Sequence, residues 1–254
     1  MRFIDSHCHL DFPELSPDLA RYITNANAVG VCGFVIPGVS LAQSQKLLTF
    51  KQEHAGCHIA VGLHPYFITQ HQSHHFDALA QYAHEHQEDL VAIGECGIDT
   101  TCEQLTYQQS LFQQHIQLAN ALKLPLIIHH RQSHHYIAQA FKQTPPLYGG
   151  VIHAFSGSLQ QANYYIAKGF KLGVGGTISY ERANKTKAVF ATVALQHLLL
   201  ETDSPSMPLF GHQGQINLPE RVVDVFKYLC QLRHETPSDI AQQLYDSSCT
   251  LFRI

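Results

Sequence analysis

Short apolar runs alternate with longer stretches of helical period along the whole chain. The runs at residues 2–7, 30–38, 58–65, 90–99, 125–130, 150–157, 170–176 and 197–203 are rich in Val, Ile, Leu and Phe and are bounded by Gly or Pro. That pattern predicts strands buried on both faces, as in a parallel sheet. Between them, residues 41–54, 76–87, 107–123, 133–142 and 159–168 read as amphipathic helices, and two further helices near 219–235 and 239–251 close the chain. Ser16-Pro17-Asp18 and Thr236-Pro237-Ser238-Asp239 carry a capping hydroxyl, a proline at the first helical position and an early acid, so both read as helix starts. Eight strand–helix units in 254 residues predict an α/β fold, a (β/α)8 TIM barrel forming one domain over residues 1–254. A doubly wound open sheet of the same rhythm is the alternative.

Composition narrows the function. Charged residues make up 14% of the chain, against roughly 25% in an average domain, and the formal net charge is −4. A protein that grips long duplex DNA through its backbone carries a basic surface, so any nucleic-acid role here must rest on a local site. The apolar runs fall far short of the roughly 20 residues of a membrane helix, and the first residues lack the pattern of a signal peptide. No membrane association and no obligate protein partner are expected. The seven cysteines, an odd number without a Cys-x-x-Cys pair, suggest neither a disulfide framework nor a thiolate zinc site. They read as small buried hydrophobes in a reducing compartment, the cytoplasm by default.

Active sites of such barrels form at the C-terminal ends of the strands. Those ends carry His7 and His9, His64, Glu95 and Asp99, His129, His153, and Asp203, every one a metal-ligand type or a general acid or base. In Asp5-Ser6-His7-Cys8-His9 the alternation of a strand would turn both histidines to one side and Cys8 to the other, so the two imidazoles can chelate one ion. Glu95 stands in an apolar run with few Lys or Arg to pair with it. A buried carboxylate is costly without a partner, and a metal ion is the expected one. His129 and His153 end the next two strands and can hold a second ion. Asp203 ends the last strand, which a barrel sets beside the first, against His7 and His9. Glu201, two residues earlier, reads as a supporting or core group. Of the 19 histidines, the 14 outside this set, His71, His74, His75, His84, His86, His134 and His135 among them, read mostly as surface replacements for the missing Lys and Glu.

The segments Asp5-Ser6-His7-Cys8-His9, Gly62-Leu63-His64-Pro65, Gly94-Glu95-Cys96-Gly97-Ile98-Asp99, Pro125-Leu126-Ile127-Ile128-His129-His130-Arg131, His153-Ala154-Phe155-Ser156-Gly157 and Glu201-Thr202-Asp203-Ser204-Pro205 together resemble the signature set of the TatD family. These are metal-dependent deoxyribonuclease-type hydrolases on a TIM barrel of the metallo-dependent hydrolase type. The resemblance runs in family order through essentially the whole chain. It implies two divalent ions, with His7, His9 and Asp203 holding one, His129 and His153 the other, and Glu95 bridging. Its His-x-Arg pattern selects His129 over His130, which would face the barrel wall, and sets Arg131 two residues on. Tyr66, Thr100 and Ala154 depart from the family pattern at positions outside the ligand set.

Two such ions can clamp a phosphodiester and activate water, with Asp203 as its proton acceptor or as a pure ligand. His64 reads as a donor to the phosphate or leaving group, or as a structural histidine. Arg131 reads as a bidentate phosphate contact, or as the holder of the carboxylates. The long segment 204–219 is expected to wall the substrate pocket. Arg182, Lys185 and Lys187 read either as a nucleic-acid backbone contact or as a solvated cluster. Imidazoles with carboxylates suit zinc, manganese or cobalt better than magnesium. The expected reaction is hydrolysis of phosphodiester bonds at single-stranded or frayed DNA ends, or in a small phosphodiester. The alternative is an amidohydrolase-type enzyme cleaving C–N or C–O bonds of a small molecule. That superfamily often bridges its metals with a modified lysine on the fourth strand, where this chain has Glu95.

Overall fold

A computed structural model describes residues 1–254. The strands and helices alternate as β1 (Phe3–Asp5), α1 (Leu19–Ala28), β2 (Val31–Ile36), α2 (Leu41–Glu53), β3 (Cys57–Val61), α3 (His75–Glu85), β4 (Leu90–Asp99), α4 (Leu105–Leu122), β5 (Leu126–Arg131), α5 (His134–Gln143), β6 (Gly150–Ile152), α6 (Leu159–Ile166), β7 (Phe170–Val174), α7 (Asn184–Thr192), β8 (Leu198–Leu200), α8 (Val222–Cys230) and α9 (Pro237–Phe252). The eight strands form one sheet in chain order, β1 to β8. Past their ends the first and last strands bond to each other: the Ser6 N–H donates to the Leu200 carbonyl (2.8 Å), Asp203 N–H to His7 (2.8 Å) and His9 N–H to Ser204 (2.7 Å). A sheet in this order whose last strand returns to its first is the expected (β/α)8 barrel, not the open alternative.

The chain resolves into two compact units, Met1–Ile36 with Ala154–Ala167 and Lys171–Ile254, and Pro37–His153 with Lys168–Phe170. In the first, Phe3 packs on Phe226 of α8 (ring centroids 5.0 Å apart) and Phe155 on Tyr165 and Phe190. In the second, Phe112 of α4 packs on Phe141 of α5. Every residue of β1, β6 and β8 is buried, as the unbroken apolar runs require.

Several local expectations change. The strands are shorter than the apolar runs, so His7, His9, His64, His153 and Asp203 lie in loops just beyond the strands, whereas Glu95, Asp99 and His129 lie within β4 and β5. Thr236 caps α9 as expected, accepting the Asp239 N–H at 3.2 Å. Ser16 does not cap a helix; it opens a 3-10 turn, and α1 begins at Leu19 after Asp18, whose carboxylate pairs with Arg21 instead. Helix α7 has no counterpart among the patterned stretches, because its apolar residues are confined to positions 188–191. α8 stops at Cys230, where Arg233 turns back to the carbonyls of Phe190, Ala191 and Val193. Of the seven cysteines, only Cys8, Cys57 and Cys96 are buried; Cys32 is exposed.

Candidate metal centre

In the first unit the loops after β1 and β8 bring three donor groups together. His7 Nε2 and His9 Nε2 lie 3.3 Å apart, and Asp203 Oδ1 stands 3.6 Å from the former and 3.5 Å from the latter. Donors held about 2.0–2.1 Å from one ion at tetrahedral angles would stand about 3.3–3.4 Å apart. The triangle therefore has the dimensions of a metal's coordination face. Its convergence does not come from strand alternation, since both histidines lie beyond β1.

Asp5, quoted in the sequence motif without a role, organises this turn. Its Oδ1 accepts the N–H groups of Thr202 (2.9 Å) and His7 (3.3 Å), and its Oδ2 accepts the Thr202 hydroxyl (2.6 Å). One buried carboxyl thus ties the segment leading to His7 to the segment leading to Asp203. Burial pushes its pKa up to about 7, against the lowering effect of those hydrogen bonds. Asp203 adopts a left-handed backbone conformation, φ +60°, which aspartate tolerates better than most residues. Its side chain is 15% exposed, so water reaches it. Glu201, fully buried, accepts the Ala154 N–H at 2.6 Å and supports the loop after β6.

In the second unit the donors centre on Glu95. The register of β4 against β5 shifts between Ile93 and Cys96, and such irregularities re-aim side chains. Gly97 lets the two strands approach there: a Cβ on it would stand 2.1 Å from the His129 carbonyl oxygen. Glu95 Oε1 lies 3.0 Å from His64 Nε2 and 3.2 Å from His129 Nδ1. The ligand atoms of His64, Glu95 and His129 all fall within 4.8 Å of one another.

The protons follow from the partners. His64 Nδ1 accepts the Tyr66 N–H (2.9 Å), so its proton sits on Nε2 and is donated to Glu95. His129 Nε2 faces Asp99 Oδ2 at 3.1 Å and donates to it, which turns the Nδ1 lone pair towards the Glu95 carboxylate. Two acceptors 3.2 Å apart need a positive charge between them. A proton can supply it: burial lowers the His129 pKa, but the hydrogen bonds with Asp99 and Glu95 outweigh it and the net shift is upward. A divalent ion supplies it equally well, because metal-bound histidine commonly gives its other N–H to a carboxylate. The donor set thus fits a metal, with Asp99 holding the outer nitrogen of His129, a contact the sequence reading did not assign to this strand-end acid. Burial raises the Asp99 pKa, yet the hydrogen bonds from His129 and Thr101 prevail and hold it well below the usual carboxylate range.

The remaining expected residues are placed as follows. His153 is buried just past β6, its N–H bonded to the Ile128 carbonyl (3.0 Å). His130 turns away from Glu95 and its ring meets His134 edge-on. Arg131 lies 3.9 Å from Asp99 Oδ2 with its side chain 59% exposed, so it borders the carboxylate and still faces solvent. Two further histidines serve the site indirectly. His115 of α4 accepts the Leu63 N–H (3.0 Å) and gives its Nδ1 proton to the Leu111 carbonyl (2.7 Å); His71 donates to the His64 carbonyl (3.0 Å). His71 is buried, which corrects its reading as a surface replacement for lysine or glutamate.

Comparison with known proteins identifies the family. The sequence model of the family described as "TatD related DNase" matches residues 4–253. The chain is similar to the "Uncharacterized metal-dependent hydrolase YjjV" of Escherichia coli (strain K12), with 40% identity over 100% of this chain and 98% of the relative. It is also similar to the "3'-5' ssDNA/RNA exonuclease TatD" of Citrobacter koseri, with 33% identity over 98% of each chain. The crystal structure of the TatD homologue YJJV from E. coli K12 superposes with a TM-score of 0.96, covering 100% of this chain and 98% of that one. No helix of this chain is long and apolar enough to cross a membrane. On these grounds the chain belongs to the TatD family and is a metal-dependent hydrolase with a (β/α)8 TIM-barrel fold.

Proposed function

We propose that this hydrolase cleaves phosphodiester bonds, as a TatD-type deoxyribonuclease trimming single-stranded or frayed DNA ends. The observation that carries the reading is Glu95. A carboxylate, where the amidohydrolase alternative would call for a modified lysine, stands at the centre of the β4–β5 donor cluster. The TatD exonuclease among the relatives supports the same class of substrate.

In this reading His7, His9 and Asp203 would hold one divalent ion and His129 and His153 the other, with Glu95 as a ligand common to the two. The ions, when bound, supply Lewis-acid activation of water and charge neutralisation of the phosphodiester. Zinc, manganese and cobalt suit the imidazole-rich set better than magnesium. Asp203, reached by solvent, takes the proton of the attacking water. Asp99 fixes the tautomer of His129. His64 keeps the Glu95 carboxylate in place through the Nε2 proton that the Tyr66 N–H assigns to it, and it is the proposed donor to a phosphate oxygen. Arg131 offers its exposed guanidinium to the phosphate. The cytoplasm remains the expected compartment, because none of the seven cysteines forms a disulfide.

The test is to incubate metal-reconstituted protein with single-stranded DNA, RNA, a phosphodiester reporter and an amide reporter, beside Glu95→Ala and Asp203→Ala. Metal-dependent cleavage of DNA and the phosphodiester reporter, lost in both variants, is the expected result. Cleavage of the amide reporter alone would overturn the nuclease reading, and activity undiminished in both variants would overturn the site. Metal analysis of Glu95→Ala should show both ions lost, since a shared ligand serves both.

A further inference from the structure

Beyond β7 and β8, on the end of the barrel where Asp203 stands, a feature outside the metal ligands calls for an occupant. Phe210, in the segment after β8, is 54% exposed, and clefts open beside it. One of ≈ 640 Å3 is bordered by Tyr180, Arg182, Phe210 and Gln213. Another of ≈ 310 Å3 is bordered by Ser179, Lys187, Phe210 and Tyr228. The backbone that carries the ring is anchored: the Phe210 N–H donates to Ser179 Oγ (2.8 Å), whose own proton goes to the Gly176 carbonyl (2.6 Å). Tyr180 donates its hydroxyl proton to the Pro208 carbonyl (2.7 Å). The Tyr180 and Phe210 rings meet edge-on, with centroids 5.9 Å apart and planes at 78°. The Arg182 guanidinium lies 5.2 Å from the centre of the Tyr180 ring. The segment is anchored to the β8 end by buried Asn217, whose amide donates to the Thr202 and Met207 carbonyls.

We propose that Phe210, Tyr180 and Arg182 form a stacking platform for single-stranded nucleic acid, a substrate subsite that rests on the phosphodiesterase reading above. An exposed aromatic face beside cations is how sequence-tolerant binders hold unpaired bases and their phosphates. The clefts beside Phe210 carry Arg182, Lys187 and Lys227 against the carboxylates of Glu181 and Asp224, a small cationic excess that suits a polyanion. In a chain of net charge −4, this local concentration is what a strand would need to be retained. The spacing also suits the reaction. Seven Cα-to-Cα steps lead from Asp203 to Phe210, so their Cα atoms lie at most about 25 Å apart. At about 3.4 Å per nucleotide of a stacked strand, the platform would grip a base within about seven nucleotides of the bond being cut.

The test compares wild type, Phe210→Ala and Arg182→Gln. Binding of fluorescently labelled (dT)10 is followed by anisotropy in EDTA over a range of salt, and hydrolysis of (dT)10 and of bis(p-nitrophenyl) phosphate is measured with manganese. Phe210→Ala should weaken (dT)10 binding about 5- to 100-fold. Arg182→Gln should reduce the slope of log affinity against log salt by about 0.7. Both variants should raise KM for (dT)10 and leave hydrolysis of the small reporter unchanged. Unaltered (dT)10 binding by Phe210→Ala, or no binding by wild type, would overturn the platform. The two readings separate cleanly. Wild type that binds (dT)10 through Phe210 but cleaves no phosphodiester sinks the proposed reaction and keeps the platform. Cleavage of (dT)10 with binding insensitive to Phe210 does the reverse.

Discussion

Replacing His115 with Leu removes an imidazole that the fold holds in one protonation state. Its Nδ1 proton goes to the Leu111 carbonyl and its Nε2 lone pair receives the Leu63 N–H, so both nitrogens are used only while the ring is neutral. Burial lowers its pKa to about 4 from an ordinary 6.5, against the raising effect of the Leu111 hydrogen bond. The folded state therefore binds fewer protons than the unfolded state between pH 4 and 6.5. Stability from this group is complete above pH 6.5, falls as the pH drops through that window and levels off below about 4. Relative to pH 7.5, wild type should lose about 2 kcal/mol from His115 by pH 5 and about 3 kcal/mol by pH 4. At pH 7.5 the leucine variant should be less stable by about 1–3 kcal/mol, because the buried Leu63 N–H loses its acceptor. The variant lacks the titration, so its deficit should shrink on acidification and close between about pH 6 and 4. Urea unfolding of both proteins in EDTA at pH 7.5, 6, 5 and 4 measures this. A deficit that stays constant with pH, or one below about 0.3 kcal/mol at pH 7.5, would refute the reasoning.

Other substitutions test the supports of the site. Asp99→Asn, which weakens the hold on the His129 Nε2 proton, should reduce metal affinity or turnover about 10- to 100-fold, read by metal titration. Gly97→Ala would push β4 from β5 beside His129, since its Cβ meets the His129 carbonyl at 2.1 Å and the residue needs φ +145°. It should lower the melting temperature and the metal content together, as measured by thermal unfolding and metal analysis. Arg233→Ala removes a largely buried guanidinium that caps three carbonyls at the end of α7 and pairs with Glu235. It should cost at least about 1.5–3 kcal/mol in urea unfolding while sparing hydrolysis of a small reporter.

The roles of individual histidines show where sequence reading succeeds and where it stops. His7, His9, His129 and His153 were legible because each follows an apolar run, and chain topology sends the ends of successive parallel strands to one side. His71 and His115 were not, because they lie in a turn and on a helix, and their partners are backbone groups of Leu63 and His64. No spacing rule connects position 115 with position 63. Asp5 and Asp99 were visible as acids in motifs, but their work is to hold Thr202 and His129, contacts made across strands. The caps divide the same way. Thr236 acts on its own helix and was legible, while Ser16 lost its predicted role to a 3-10 turn and an Asp18–Arg21 ion pair.

By itself the sequence determined the alternation of buried strands and helices, hence the barrel, and the set of residues able to bind metal. Both follow from local chemistry: apolar period decides burial, and side-chain type decides ligation. Only the tertiary structure decided which nitrogen of His64 carries the proton, that Asp99 and Asp5 hold His129 and the His7 turn, and that Phe210 stands exposed beside clefts bordered by Arg182 and Lys187. Those properties depend on distances of about 3 Å between groups far apart in the chain, and such distances exist only once the backbone has closed on itself.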